Sequence, residues 1–170
     1  MKLWQFAGFC ITSLLGTLLH YLYDWTGKNP LVALVSGVNE STWEHMKLLY
    51  FPLVIFAVVQ YFFFKDRKDY WCVKLVGTLT GLVLIPVIFY TYNGAVGKSP
   101  DWFNIAIFFI SSAAVYFLEY LMFKSRKLCC NRPCIAFWGL VSISVLFIVF
   151  TFAPPKIPLF LDPLTLTYGI

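Results

Sequence analysis

Five long charge-free runs divide the chain, at residues 3–23, 48–64, 75–97, 102–118 and 133–155. An α-helix rises about 1.5 Å per residue and the hydrocarbon core of a bilayer is about 30 Å thick, so a spanning helix needs roughly 20 apolar residues. Each run reaches this length once the interfacial residues at its ends are added. The pattern predicts five transmembrane helices, at residues 3–23, 42–64, 71–92, 102–123 and 134–153, followed by a tail at 154–170.

The runs are continuous rather than alternating, which excludes the segments of about ten residues that membrane β-barrels use. A shorter apolar stretch, residues 30–38, cannot cross a membrane and is predicted to form a re-entrant or lip segment between helices 1 and 2. The first run is longer than the core of a signal peptide and has no small-residue cleavage site, so we expect it to be retained as a helix. We therefore predict one all-α transmembrane domain over residues 1–170.

Composition supports a membrane protein. Of the 170 residues, 60% are hydrophobic and only 12% are charged, whereas soluble domains carry about 25% charged residues. A chain this short cannot bury such a surplus in its own core. This excludes a soluble enzyme, a disordered chain and a secreted module held together by disulfides.

Basic residues indicate an orientation. With the N-terminus inside, nine of the 13 Lys and Arg residues face the cytoplasm, and the outer side holds only Lys28, Lys47, Lys98 and Lys156. The positive-inside rule therefore predicts the N-terminus inside and the C-terminus outside. Four cysteines fall on the inner side and Cys10 falls in the first span, so we expect free, reduced thiols. The basic residues form no stripe on one face, so no nucleic-acid partner is expected.

The polar residues that need an explanation gather on the predicted outer side. His20 and Asp24 can share a face at the end of helix 1, and helix 2 begins with a second polar group. The short connection makes the two helices neighbours. The candidate residues for a ligand or polar site are His20, Asp24, Asn39, Glu40, Ser41, Glu44, His45, Lys47 and Asp162.

Imidazole and carboxylate groups together suit Zn²⁺ or a similar divalent ion, so His20, Glu44 and His45 are candidate metal ligands. A structural interpretation competes with this one. Ser41 and Glu44 have the spacing of a capping box, and Lys47 can snorkel or pair with Glu40 or Glu44. No metalloprotease or nucleophile-elbow motif is present.

Glu119 is the one acid deep inside a predicted span, about 27 Å along helix 4 from its outer end. Acids in lipid are functional candidates. The alternative, which we favour, is a structural pair in the inner half, with Glu119 reaching towards Lys124 or Arg126 or meeting Gln60. In helix 3, Gly77 and Gly81 at a spacing of four suit close helix packing.

Three stretches of the sequence resemble a family of small bacterial multi-spanning proteins classed as a domain of unknown function. They are residues 20–25 (HYLYDW), 38–48 (VNESTWEHMKL) and the tail motifs at 157–163 (IPLFLDP) and 168–170 (YGI). The resemblance implies the bacterial cytoplasmic membrane and carries no activity. The family pattern leads us to expect a glycine-containing turn before Tyr168, where this chain has residues 164–167, LTLT.

The tail is expected to fold back over the mouth formed by helices 1 and 2 and to bring Asp162 near His20 and His45. The function predicted first is a ligand-binding or transport-associated protein with an outward-facing polar cavity. The alternatives are a metal-dependent membrane hydrolase and a structural or regulatory membrane partner. Partners would be membrane lipid, a small-molecule or lipid ligand, and another membrane protein or a second copy of the chain.

Overall fold

The fold is described by a computed structural model over residues 1–125 and 130–170, and within these ranges five helices are long and apolar enough to cross a membrane. The five predicted spans coincide with these helices to within a few residues, and the multi-pass helical fold is confirmed. The helices are α1 (Lys2–Trp25), α2 (Thr42–Phe64), α3 (Tyr70–Val96), α4 (Asp101–Ser125) and α5 (Pro133–Phe152).

Four of the helices form a ring. α1 packs against α2, α2 against α3, α3 against α4, and α4 returns to pack against α1. α5 lies outside the ring, mainly against α3 and more lightly against α2. We call the end where α1 ends and α2 begins the histidine end, and the end where α1 begins the opposite end.

α3 and α4 approach each other closely at two glycines. A Cβ atom at Gly81 would lie 2.5 Å from Cγ2 of Val115, and one at Gly77 would lie 2.8 Å from Cγ of Glu119. Such distances are far below van der Waals contact, so only glycine fits at these two positions. The expectation of close packing from the spacing of four is confirmed.

The lip segment packs at the end of α1 and does not cross the bundle. It contains a short 3-10 helix, Val32–Leu34, and a buried serine, Ser36. The Ser36 hydroxyl accepts the Tyr23 amide N–H at 3.1 Å and donates to the Leu19 carbonyl. The segment therefore supplies hydrogen-bond partners to the backbone where α1 finishes.

The tail folds back to the entrance of α2, as expected. A second 3-10 helix, Pro158–Phe160, places the Phe160 ring 4.7 Å from the Trp43 ring, measured between centroids. Further along, the Asn39 side-chain amide donates to the Gly169 carbonyl at 2.9 Å. The tail is thus held at both of its ends against the start of α2.

Asp162 is buried within the tail, where it organises its own turn rather than joining the histidines. Its carboxylate accepts the Leu164 amide N–H and the Thr165 hydroxyl, each at 2.8 Å. Leu166 lies in this turn with a φ of 58°, a left-handed conformation that favours glycine. This is the segment in which the family resemblance leads us to expect a glycine.

Cys72 and Cys130 form a disulfide, with their Cα atoms 6.0 Å apart. The expectation of free thiols is therefore wrong for this pair. It holds for Cys10 and Cys134, which are free and exposed, while Cys129 lies outside the described residues. The disulfide forms because α3 packs against α5, which brings the first turn of α3 next to the residues that precede α5.

We predict that Gly81→Ala lowers the stability of the bundle by about 1–3 kcal/mol, because the added methyl group overpacks the contact between α3 and α4. Thermal unfolding in detergent measures the loss. Gly94→Ala, on the same helix, is the matched control. A Cβ at Gly94 meets nothing within 4 Å, so its melting temperature should stay unchanged or rise. Equal effects of the two substitutions would contradict the close packing.

Candidate functional site

Three side chains meet at the histidine end. His20 lies near the end of α1, His45 in the first turn of α2, and Glu40 in the connection just before that helix. Nε2 of His20 lies 3.6 Å from Oε1 of Glu40, and Nε2 of His45 lies 3.5 Å from Oε2. The side chains are 30%, 28% and 40% exposed for His20, His45 and Glu40. The carboxylate therefore sits between two imidazoles that solutes can reach.

The orientation of His45 is fixed by the helix that carries it. Its Nδ1 atom lies 2.9 Å from the carbonyl oxygen of Ser41, the N-cap residue of α2. A carbonyl can only accept, so Nδ1 carries the hydrogen. In the neutral ring, Nε2 therefore presents its lone pair, and it faces Glu40. Metal-binding histidines are oriented by this kind of second hydrogen bond.

The backbone around Glu40 is held by its two neighbours. Oδ1 of Asn39 accepts the Ser41 amide N–H at 3.0 Å, and the other end of the Asn39 side chain donates to Gly169. The Ser41 hydroxyl in turn accepts the Glu44 amide N–H at 3.3 Å. Asn39 and Ser41 thus shape the turn that presents Glu40.

The geometry of His20, Glu40 and His45 suits a tetrahedral metal ion. One ligand atom from each residue lies within 4.8 Å of the other two. Two ligands bound at about 2.0–2.1 Å with tetrahedral angles are about 3.3 Å apart, and each imidazole has one oxygen of Glu40 near this distance, a different oxygen for each ring. Nitrogen and carboxylate oxygen ligands are typical of zinc. Three protein ligands would leave a fourth position open.

Glu44 points away from the histidines into a buried ion pair with Lys47. Nζ of Lys47 lies 2.5 Å from Oε2 of Glu44 and also donates to the Ala33 carbonyl at 2.9 Å. The Val38 amide N–H donates to Oε2 of Glu44 at 3.1 Å. The lip segment therefore supplies one hydrogen-bond partner to each of the two charged groups. The Ser41 amide N–H donates to Asn39 rather than to Glu44, so only the Ser41 side of the predicted capping box is formed.

Thr151 of α5 completes this ion pair. Its hydroxyl donates to Oε1 of Glu44 at 3.1 Å and accepts from Nζ of Lys47 at 2.8 Å. Both oxygens of Glu44 therefore have partners, and the lysine has three. A fully partnered pair of this kind is typical of a structural role.

Glu119 forms a second buried ion pair near the opposite end, and its partner is Lys74. Nζ of Lys74 lies 2.6 Å from Oε2 of Glu119, and both side chains are 0% exposed. The expected partners Lys124 and Gln60 are wrong, because α3 already begins at Tyr70 and carries Lys74 inside the bundle. Gln60 instead accepts the Tyr70 hydroxyl at 3.2 Å. The other expected partner, Arg126, lies outside the described residues.

The sequence profile of a family described as a family of unknown function, DUF6512, matches residues 1–170. The chain belongs to this family. The match covers all five helices, the lip segment and the tail. The resemblance to a domain of unknown function is therefore confirmed. No curated protein and no solved structure matches the chain. DUF6512 assigns no activity to the histidine end, so its role has to be inferred from its chemistry.

The structure divides the predicted site residues into three groups. His20, Glu40 and His45 come together, with Asn39 and Ser41 shaping the turn and Asp24 exposed one turn beyond His20. Glu44 and Lys47 form the buried pair, and Asp162 lies in the tail. Sequence reasoning missed Thr151 and Gly169, because a lone threonine in an apolar run and a glycine near the end of a tail carry no signal of a polar contact.

We predict that Thr151→Val destabilises the protein by about 1–3 kcal/mol, because the buried charges of Glu44 and Lys47 each lose a hydrogen-bond partner without a change of side-chain volume. Thermal unfolding in detergent tests this. Thr80→Val is the control, since the exposed Thr80 hydroxyl bonds only the Val76 carbonyl within its own helix. A melting temperature as high as that of the control would show that Thr151 does not support the pair.

Proposed function

We propose that the protein is a ligand-binding membrane protein whose ligand is a divalent transition-metal ion, with Zn²⁺ as the reference ion. His20, Glu40 and His45 would be its ligands. The observation that carries the proposal is the approach of Nε2 of His45 to Oε2 of Glu40 at 3.5 Å, while Nδ1 is already committed to the Ser41 carbonyl. The lone pair of His45 Nε2 and the lone pairs of the Glu40 carboxylate therefore face each other and repel. A cation bound between them would turn this repulsion into attraction.

The second imidazole favours a metal ion over a proton. Each oxygen of Glu40 faces a different histidine, and the two rings have their centroids 5.6 Å apart. One proton would bridge the carboxylate to only one of them. A metal ion at the centre of the three groups would accept electron pairs from all three at once. Glu40 takes the place that the sequence suggested for Glu44, because the carboxylate of Glu44 is used in the buried pair.

We further propose that the protein resides in the bacterial cytoplasmic membrane with its N-terminus inside, so that the metal site faces outwards. The excess of basic residues at the opposite end supports this orientation. The Cys72–Cys130 disulfide lies at that same end and, by itself, favours an oxidising compartment there. Apart from the two buried lysines, Lys47 and Lys74, eight basic residues belong to the opposite end by their place in the sequence and three to the histidine end, and this excess outweighs a single disulfide.

We predict that the purified protein binds one Zn²⁺ per chain, measured by elemental analysis after dialysis and by calorimetric titration. His20→Gln, His45→Gln and Glu40→Gln should each weaken binding by at least about 100-fold, because even partners outside the ligand set cost about 10–100-fold. Asn39→Ala should weaken it by about tenfold, since Asn39 fixes the turn that presents Glu40.

Asp101→Asn is the control for this experiment, because it removes an exposed carboxylate at the same end of the bundle without touching the three ligands. Its zinc affinity should equal that of the wild-type chain. Thermal unfolding without metal shows whether each variant remains folded. Full zinc stoichiometry in a folded His20→Gln/His45→Gln double variant, or no zinc in the wild-type chain, would refute the site.

The orientation gives a separate prediction. In a background in which Cys10, Cys129 and Cys134 are replaced by serine, Lys98→Cys should react with a membrane-impermeant maleimide in intact bacterial cells. Lys65→Cys, an equally exposed position at the opposite end, should react only after the cells are opened. The reverse pattern would place the metal site on the cytoplasmic side and leave the zinc measurement unaffected.

A further inference from the structure

A second polar group lies inside the ring of helices, far from the metal site. Each of the four ring helices contributes one side chain to it, and each of these side chains is at most 4% exposed. Gln5 and His20 on α1 are separated by about 22 Å of helix, so the two groups are distinct. We call this group the four-helix polar cluster, and it consists of Gln5, Gln60, Lys74 and Glu119.

The Lys74–Glu119 pair is the centre of this cluster. Three aromatic rings surround the Lys74 ammonium group, at 5.5–5.9 Å from Nζ to the ring centroids, and they belong to Phe56, Tyr70 and Tyr116. The Gln5 side chain faces the Glu119 carboxylate from α1. Among the described residues, the titratable groups that face Glu119 are Lys74 and Tyr70 on α3 and Tyr116 on its own helix.

Three polar atoms of the cluster have no hydrogen-bond partner within the part of the chain that the structure describes. They are Oε1 of Glu119, Oε1 of Gln5 and Nε2 of Gln60. Glu44, the buried acid of the other ion pair, differs because both of its oxygens are bonded. Polar atoms without partners are costly in a membrane interior, and buried water is their usual solution. A water molecule can donate a hydrogen bond to Oε1 of Glu119, and the Gln5 side chain faces the same carboxylate.

We propose that the four-helix polar cluster is a proton-binding site, with water as the ligand that brings the proton to Glu119. A hydronium ion breaks one O–H bond, and its proton forms a new O–H bond on Oε1 of Glu119. The product is a water molecule and a neutral carboxylic acid. The charge of the cluster changes from zero to +1, because Lys74 keeps its proton. Release reverses the step.

Gln5 places the cluster near the opposite end of the bundle. Gln5 is one helical turn from Met1, at the start of α1, and its amide contacts the Met1 sulfur at 3.9 Å. Glu119 is therefore reached from the opposite end, without passage through the metal site. The proposal does not depend on metal binding, and loss of zinc leaves it intact.

Infrared difference spectroscopy of the full chain in detergent tests the proposal. The wild-type protein should show a protonated-carboxyl stretching band that grows as the pH is lowered within the range in which the fold is retained. The band should be absent in Glu119→Gln. It should shift to higher frequency in Gln5→Leu, because removal of the Gln5 carbonyl disturbs the water bonded to Glu119.

Glu44→Gln is the matched control, because it removes a buried acid whose oxygens are fully bonded, and it should leave the band in place. Should Glu119→Gln fail to fold with Lys74 unpaired, the Lys74→Met/Glu119→Gln double variant removes both charges together. A band that persists in either folded variant would overturn the assignment. So would its absence from the wild-type chain at every pH that preserves the fold, and an unshifted band in Gln5→Leu would overturn the role of water.

Discussion

The ion pair between Lys47 and Glu44 joins the lip segment and the start of α2 to α5, which lies about a hundred residues further along the chain. It takes the Ala33 carbonyl and the Val38 amide from the lip and the Thr151 hydroxyl from α5. Charges in an apolar interior need a complete set of partners, so these segments have to meet. The proposed metal site depends on this arrangement without touching it, because Glu40 lies between Val38 and Glu44 in the chain.

The two buried ion pairs have similar distances and different surroundings. Around Glu44, backbone and side-chain groups satisfy both carboxylate oxygens, and the pair acts as a fixed joint. Around Glu119, aromatic rings and amide groups enclose the pair, and within residues 1–125 and 130–170 one carboxylate oxygen has no hydrogen-bond partner. Burial alone therefore does not distinguish a structural pair from the pair that we propose to be functional. The two pairs differ in whether every oxygen of the carboxylate has a hydrogen-bond partner.

The helices were predictable from the sequence because a bilayer imposes a length on every charge-free run. The meeting of His20 with His45 was also predictable, since a short connection joins their helices and both residues lie near its ends. The choice between Glu40 and Glu44 was not. It depends on the partners of the Glu44 carboxylate, which is held in the buried pair by Lys47 and Thr151.

Other features depend on packing between segments that are distant in the chain. The predicted third span, 71–92, already contains Lys74, but its position one residue before the charge-free run groups it with the basic residues of the inner side. The sequence does not show that Lys74 turns towards α4 and pairs with Glu119. The Cys72–Cys130 disulfide likewise follows from the contact of α3 with α5, and a separation of 58 residues along the chain gives no sign of it.

The contact between Asn39 and Gly169 has a practical consequence for work on this protein. Gly169 is next to Ile170, so any affinity tag or fluorescent protein fused after that residue begins beside the turn that carries Glu40. Such a fusion would weaken the hydrogen bond between the Asn39 side chain and the Gly169 carbonyl and so disturb the histidine end. Fusions before Met1 avoid this turn, although they approach the Gln5 end of the bundle. A fusion after Ile170 therefore suits work on the four-helix polar cluster, and a fusion before Met1 suits work on the three side chains of the histidine end.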